Sequence, residues 1–369
     1  MTDTPASPEE GTRPRRGGKG RRRKPRARRK GLLIAAWATA GVVVLGGSGL
    51  GYAYWHLNHN IKGVDIDAAL GKDRPADTDN GSMDILVLGS DSRSGSNGEY
   101  GRDEGSARSD TAMVVHVYEG HKKASVVSIP RDTLVDRPAC ATDAGKTVPA
   151  AHQAMFNSAY SAGGPACAVK TVESMSGIRM DHYVEVDFTG FKKLVDALGG
   201  VPLTTTKPIQ DTSSHLSLAA GRHTLDGEQS LGLVRTRHGV GDGSDLGRIQ
   251  LQQAFVKALI DRVKHVGVLG NPAKAYKLAG AATSALTTDS GLDSVRDLAT
   301  FGTSLKGVKT SATTMVTLPV AYDPQDANRV LPDTAKDTLL WKALRADKAV
   351  PAAAEHGTTQ GGADGVVKG

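Results

Sequence analysis

Residues 84–93 read DILVLGSDSR, an apolar run that halts at Gly89 and then sets Asp91 and Arg93 among small residues. Its length and branched aliphatic content predict a β-strand, with a glycine turn and a charged pair at its end. The same pairing of arginine with aspartate returns in ARSDT (107–111) and SIPRDT (128–133), each time at the border of an apolar run. TAMVVHVY (111–118) and ASVVSI (124–129) are strand-like and joined by EGHKK, a hairpin-length connection.

Working outward, helical and strand patterns alternate. Segment 152–178 has helical spacing broken at Gly163-Gly164-Pro165, HYVEVD (182–187) alternates as a half-buried strand, and FTGFKKLVDALGG predicts a helix closed by Gly199. LDGEQSLGLVRTR (225–237) reads as a short helix running into a basic turn. Asp245 is placed to cap a helix from near Gly247 to about Val266. Two Ala-rich helices, a strand at TTMVTL (313–318) and a last helix at 334–346 follow. The alternation predicts an α/β fold: a mixed central sheet with helices on both faces over 83–348, then a disordered tail, 349–369.

The 369 residues carry a formal charge of +7, unevenly spread: residues 1–30 hold twelve Lys/Arg against three acids, leaving the rest slightly acidic. That arm has no apolar periodicity and is expected to be disordered. Residues 31–55 contain no charged side chain, long enough at about 1.5 Å per residue for a hydrocarbon core of about 30 Å. A single membrane helix is expected, with the basic flank cytoplasmic, 56–82 a juxtamembrane linker and the remainder extracellular. A cleaved signal lacks an A-x-A site, and Arg28-Arg29 fits a twin-arginine signal poorly. Only Cys140 and Cys167 exist, both in the exported part; a disulfide is favoured over two buried thiols.

GxxxxGK[ST], HExxH and GxSxG are all missing, so P-loop, zinc-protease and serine-hydrolase chemistry lack their parts. Arginine and aspartate remain. Asp91 and Asp110, after one strand and before the next, could hold Mg²⁺, which takes one or two carboxylates and completes its shell with water and phosphate. For either alone, turn capping or a local ion pair is the simpler account. Arg93, Arg108, Arg131, Arg235, Arg237 and Arg248 suit a diphosphate because a guanidinium binds phosphate oxygens as a planar fork, and Gln252 lies one helical turn after Arg248. His116 and His182 read as packing or surface residues, Asp132 as orienting Arg131 or a turn, His238 as a spare donor, and Ser90, Ser92 and Ser109 as turn residues.

With these motifs assembled, the chain resembles the LytR-CpsA-Psr family over roughly residues 57–346. DILVLGSDSR, ARSDTAMVV, VVSIPRDT, MFNSAYSAGG, VKTVESMSGIRMDHYVEVDFTGFKKLVDALGGV, LDGEQSLGLVRTR and DLGRIQLQQ stand in the family's order, after a basic arm and one apolar segment. The resemblance implies an extracytoplasmic phosphotransferase of the actinobacterial type. It would move a glycopolymer phosphate from a polyprenyl diphosphate carrier to a peptidoglycan hydroxyl, releasing polyprenyl phosphate. It further implies Mg²⁺, or Mn²⁺ in its place, on Asp91 and Asp110; a diphosphate site of Arg93, Arg108, Arg131, Arg235, Arg237, Arg248 and Gln252; catalytic roles for Arg108, Asp110 and Arg131; and an apolar tunnel for the lipid. No nucleic-acid partner is expected. Two departures stand out: the loop between Asp91 and Asp110 is long and rich in Gly and Ser, and Leu251 replaces an arginine common three residues after Arg248. A polyprenyl-diphosphate phosphatase, a non-catalytic lipid-glycan binder and a regulator of envelope genes are the rivals.

Overall fold

The computed structural model describes residues 48–90, 109–142, 145–241, 243–266, 271–355, 362–363 and 365–368. The chain divides into two units, Met1–Tyr52 and Ala53–Gly369. Of the first, only helical residues 48–52 are described. The basic arm, residues 31–47 of the expected membrane segment, and Asp91, Ser92, Arg93 and Arg108 lie outside the described residues. Among the described residues no helix is long and apolar enough to cross a membrane.

In the second unit seven strands form the central sheet: β1 (Lys62–Val64), β2 (Met83–Ser90), β3 (Ser109–Val117), β4 (Ala124–Ile129), β5 (His182–Asp187), β6 (Leu286–Asp289) and β7 (Thr313–Thr317). Their order is β1-β6-β5-β2-β3-β4-β7. β2 runs antiparallel to β3 and parallel to β5, so Leu88 stands between Ala112 and Glu185. The expected β3–β4 hairpin is present, its turn held by His121 N–H donating to Tyr118 O at 2.9 Å. The sheet is mixed, as read from sequence.

Because successive side chains on a strand point to opposite faces, β2 serves two layers. Leu86 and Leu88 pack with Val114, Phe156, Val169 and Trp341, the last three on helices α1 (Phe156–Ser176) and α7 (Thr334–Arg345). Met83, Ile85 and Val87 face the other way, toward Val117, Val184 and Phe301. On that side α2 (Phe188–Ala197), α3 (Gly227–Arg235) and α4 (Asp245–His265) line a space with Val87, α5 (Pro272–Ala285) packs on α2, and α6 (Val295–Ser304) carries Phe301. The start of α4 reaches the first core through Leu246 and Ile249. A second core gathers Val195, Leu203, Leu233, Leu251 and Phe255 beneath the small sheet of Val201–Thr205 and Gly221–Leu225. α1 departs from helical backbone at Gly163 and Gly164, where the sequence breaks its spacing. Cys140 and Cys167 are bridged beside that break.

Four expectations need correcting. Gly89 is a strand residue paired with Thr111 and Val186, not a turn. Ser90 and Ser109 are likewise buried strand residues. Residues 56–82, read as a linker, supply β1 and a one-turn helix, Ile66–Leu70, whose Ile66 and Leu70 enter the main core. The tail is partly built in: Val367–Lys368 pairs antiparallel with Thr204 and Thr205, and Val366 and Val367 are buried. The elements in 56–82 and in the tail are too short for periodicity to declare them, while at Gly89, Ser90 and Ser109 backbone pairing carries the strands past the end of the apolar run.

Candidate functional site

The arginines converge because separate elements end at one place. β4 stops at Pro130, and Thr133 bonds back to Pro130 O through its N–H and hydroxyl, turning Arg131 over the end of β3. The following helix anchors this turn, Asn157 N–H donating to Arg131 O at 3.0 Å. Arg131 Nη1 then donates to Asp110 Oδ1 at 2.7 Å, while Asp132 lies within 3.4 Å of its Nε. Burial works against the Arg131 charge, but Asp110, Asp132 and Asp245 outweigh it and raise the guanidinium's pKa.

α3 begins with a capping box, Asp226 with Gln229, and delivers Arg235 at its last turn. The Arg235 guanidinium lies 4.9 Å from the centroid of the Phe188 ring, a cation–π contact. The basic turn beyond is held by Asp211, whose carboxylate accepts the N–H groups of Arg237 (2.9 Å), His238 (3.0 Å), Ser213 (2.9 Å) and Ser214 (3.3 Å). Burial opposes ionisation of Asp211, yet those donors carry its pKa below the usual carboxylate value.

α4 is capped by Ser244, its hydroxyl accepting from Gly247 N–H, so Asp245 is the first helical residue and is freed for another task. Its Oδ1 lies 2.5 Å from Arg248 Nη2 and 3.7 Å from both Arg131 Nε and Arg237 Nη2. Neither carboxylate oxygen of Asp245, nor Arg248 Nε, has hydrogen-bond geometry with a partner among the described residues. Burial pushes the Asp245 carboxyl up against the pull of the three arginines, and burial likewise draws the Arg248 pKa down. Arg248 Nη2 also donates to Asp110 O at 3.0 Å, and Gln252 Nε2 bridges Thr111 Oγ1 and Val234 O at 2.9 Å each. Leu251 points into the second core and not toward the arginines, which accounts for the missing basic contact there.

Arg235, Arg237, Arg248, Gln252 and Asp110 close one end of a chamber of about 390 Å³. Its walls are apolar: Val87, Met113 and Val186 from the sheet, Phe188, Phe191 and Leu194 from α2, Phe255, Val256 and Leu259 from α4. Gly89 lines it too, and a Cβ there would stand 3.2 Å from Thr111 Cβ. The structure thus brings together every expected site residue among those described: Asp110, Arg131, Arg235, Arg237, Arg248 and Gln252. Asp91 follows directly on Ser90, which is paired with Ser109. Among the described residues no three His, Cys, Asp or Glu side chains gather as a metal site. A Mg²⁺ shared with substrate phosphates needs only one or two carboxylates. Asp110 meets that requirement, with one oxygen engaged by Arg131. Sequence reasoning missed Asp211 and took Asp245 for a cap; neither carries a local signal, since their partners lie across the fold.

The model of the LytR_cpsA_psr family matches residues 53–345. The chain belongs to the LytR-CpsA-Psr family. Its curated relatives include the cell wall biosynthesis protein LcpA of Corynebacterium glutamicum, 31% identical over 77% of this chain and 59% of LcpA. Polyisoprenyl-teichoic acid–peptidoglycan teichoic acid transferase TagT of Bacillus subtilis is 35% identical over 66% of this chain and 74% of TagT. The match with LcpA therefore spans less than two thirds of that protein. Among solved structures, TagT bound to LIIa-WTA shares 27% identity at a TM-score of 0.55, covering 77% of this chain and 98% of that one. These two relatives of the LytR-CpsA-Psr chain are thus a cell wall biosynthesis protein and a teichoic acid transferase, and a third is the regulatory protein MsrR of Staphylococcus aureus, 35% identical over 48% of this chain and 48% of MsrR.

Proposed function

We propose that this protein is a membrane-anchored, extracytoplasmic phosphotransferase that moves a glycopolymer phosphate from a polyprenyl diphosphate to a peptidoglycan hydroxyl. The observation carrying this is the apolar chamber of about 390 Å³ closed at one end by arginines. An amphiphile with a long hydrocarbon tail and a diphosphate head is the ligand whose two halves match those two surfaces. The acceptor oxygen attacks the phosphorus bearing the glycan, the bond from that phosphorus to the bridging oxygen breaks, and polyprenyl phosphate leaves with the electron pair. The acceptor's proton passes to solvent or to a released phosphate oxygen. The diphosphate bond is already activated, so no nucleotide is consumed.

This chain's residues bind and orient. Arg235, Arg237 and Arg248 neutralise the diphosphate, and Arg131, steadied by Asp110 and Asp132, faces the charge that grows on the leaving group. Asp91 and Asp110 would hold Mg²⁺, or Mn²⁺, which when bound supplies further neutralisation of the diphosphate. The chamber walls exclude water from the lipid side.

The test uses the full chain in detergent with a short-chain polyprenyl-diphosphate-linked sugar, Mg²⁺ and a soluble peptidoglycan oligomer, followed by mass spectrometry. Sugar phosphate joined to the oligomer, lost with EDTA or in Asp110→Asn, is expected. Release of sugar phosphate only as a free species would make the protein a phosphatase.

A further inference from the structure

A second cleft, of about 520 Å³, meets the chamber at Arg237. Its nearer wall is Arg131 and Asp132; its farther wall is Tyr322, Asn328 and Arg329. None of the last three belongs to the arginine and aspartate motifs read from the sequence. Tyr322 ends the first strand of an antiparallel pair, Val320–Tyr322 with Val330–Pro332, and Asn328 and Arg329 close the connection that leads into the second. That pair is fastened to the turn bearing Arg131: Thr133 and Val330 form a bridge, and Val330 N–H donates to Asp132 O at 3.3 Å. The two walls therefore keep a fixed spacing.

The chemistry of this cleft differs from that of the chamber. Arg329 approaches Asp132 at 3.9 Å and Asp326 at 3.7 Å, both beyond hydrogen-bond reach, so among the described residues its guanidinium is held by charge and its donors are not engaged. Asn328 is oriented by its own Nδ2 donating to Asp326 Oδ1 at 3.0 Å. Tyr322 is exposed, an aromatic body with a polar tip. A flat aromatic, an amide and a guanidinium, with cations and carboxylates interleaved, match a hydroxyl-rich, nearly uncharged ligand better than another phosphate.

Reaction geometry assigns the ligand. In phosphoryl transfer the attacking and leaving oxygens lie roughly in line through phosphorus. With the leaving polyprenyl phosphate in the apolar chamber, the nucleophile must come from the side away from it. We propose that the cleft of Tyr322, Asn328 and Arg329 seats the acceptor saccharide and presents its hydroxyl to the phosphorus at Arg131 and Arg237. This rests on the phosphotransferase reading above and adds to it the acceptor's site.

The test measures binding apart from turnover, on the full chain in detergent. A soluble peptidoglycan tetrasaccharide and farnesyl diphosphate are titrated separately by calorimetry into wild type, Arg329→Ala, Tyr322→Ala and the conservative Tyr322→Phe. The tetrasaccharide's Kd should rise about tenfold in the two alanine variants, stay near wild type in Tyr322→Phe, and shift relative to that of farnesyl diphosphate. Thermal melts accompany each titration, and the aromatic-conserving variant separates loss of the surface from loss of the fold. Unchanged tetrasaccharide affinity in both alanine variants overturns the assignment. So does a larger loss for farnesyl diphosphate, which would make the cleft part of the donor's seat. Failure of the phosphotransferase reading would look different: the binding split would persist while wild type joined no sugar phosphate to the oligomer.

Discussion

At the scale of single residues, the pair Asp245–Arg248 shows charges kept against their own stability. Burial raises the pKa of the acid and lowers that of the base, so each is driven toward its neutral form despite a separation of 2.5 Å. Buried pairs of this kind often contribute nothing net, whereas removing one partner is costly. Arg248→Met alone should therefore destabilise the fold by about 3–5 kcal/mol at neutral pH, because the carboxylate is left buried without its nearest partner. The double variant Asp245→Asn/Arg248→Met should regain most of that loss while binding farnesyl diphosphate at least about tenfold more weakly. Urea denaturation and calorimetry check both; a double variant less stable than either single one would mean the pair holds the fold together. The sequence made Arg248 legible through its spacing from the R-x-R motif. It could not reveal Asp245, since an acid at the cap and one at the first helical position differ by one residue, and three arginines from different elements give it meaning.

Between residues and the whole lie the elements, where turns position side chains. Asp211 accepts four backbone N–H groups and fixes the turn carrying Arg237. Asp211→Ala should cost at least about 2 kcal/mol in stability and raise the KM for the lipid donor, since even one hydrogen bond to a charged group is worth about 1.5–3 kcal/mol. Denaturation and steady-state kinetics would show it, and an unchanged donor KM would remove Asp211 from the account of the site. The kink in α1 has a comparable logic. A Cβ at Gly163 would stand 2.8 Å from Cys167 Cβ and 3.2 Å from both bridged sulfurs, so the break in helical spacing makes room for the disulfide. Closing a loop across a separation of 27 residues stabilises by roughly 3–4 kcal/mol in the chain-entropy model. Cys140→Ser/Cys167→Ser should lose about that much and melt markedly lower; a melt indistinguishable from wild type would show that packing alone holds α1. Helices and strands with full periods were legible from sequence. The short strands Lys62–Val64 and Val367–Lys368 were not, because two or three residues fall below any periodic signal and exist only through their partners.

Across the whole molecule the sheet has two working ends. Ser90 and Asp110 stand at one; at the other, Asp84 and His116 face each other across β2 and β3. His116 Nδ1 lies 2.8 Å from Asp84 Oδ1, and its Nε2 lies 3.0 Å from Asp347 Oδ1, just beyond α7. One imidazole thus ties the sheet to the last helix across 231 residues of sequence, a distance over which no local pattern could announce the contact. It also explains why His116 reads as an ordinary strand residue in sequence. Burial alone would lower its pKa, but Asp84 and Asp347 outweigh burial and raise it above the usual histidine value. Burial raises the Asp84 carboxyl as well, against the pull of His116. The sign follows from linkage: a group whose folded pKa exceeds its unfolded one stabilises fully below the unfolded value, about 6.5 for histidine, and loses that contribution as pH rises through the folded one. Denaturation between about pH 5.5 and about pH 8.5 should therefore show wild type losing stability toward the alkaline side, with a shallower slope in His116→Gln. Parallel slopes for the two proteins would mean that the clasp carries no proton. The expected slope places the firmest docking of α7 on the sheet at mildly acidic pH, where the imidazolium answers both carboxylates.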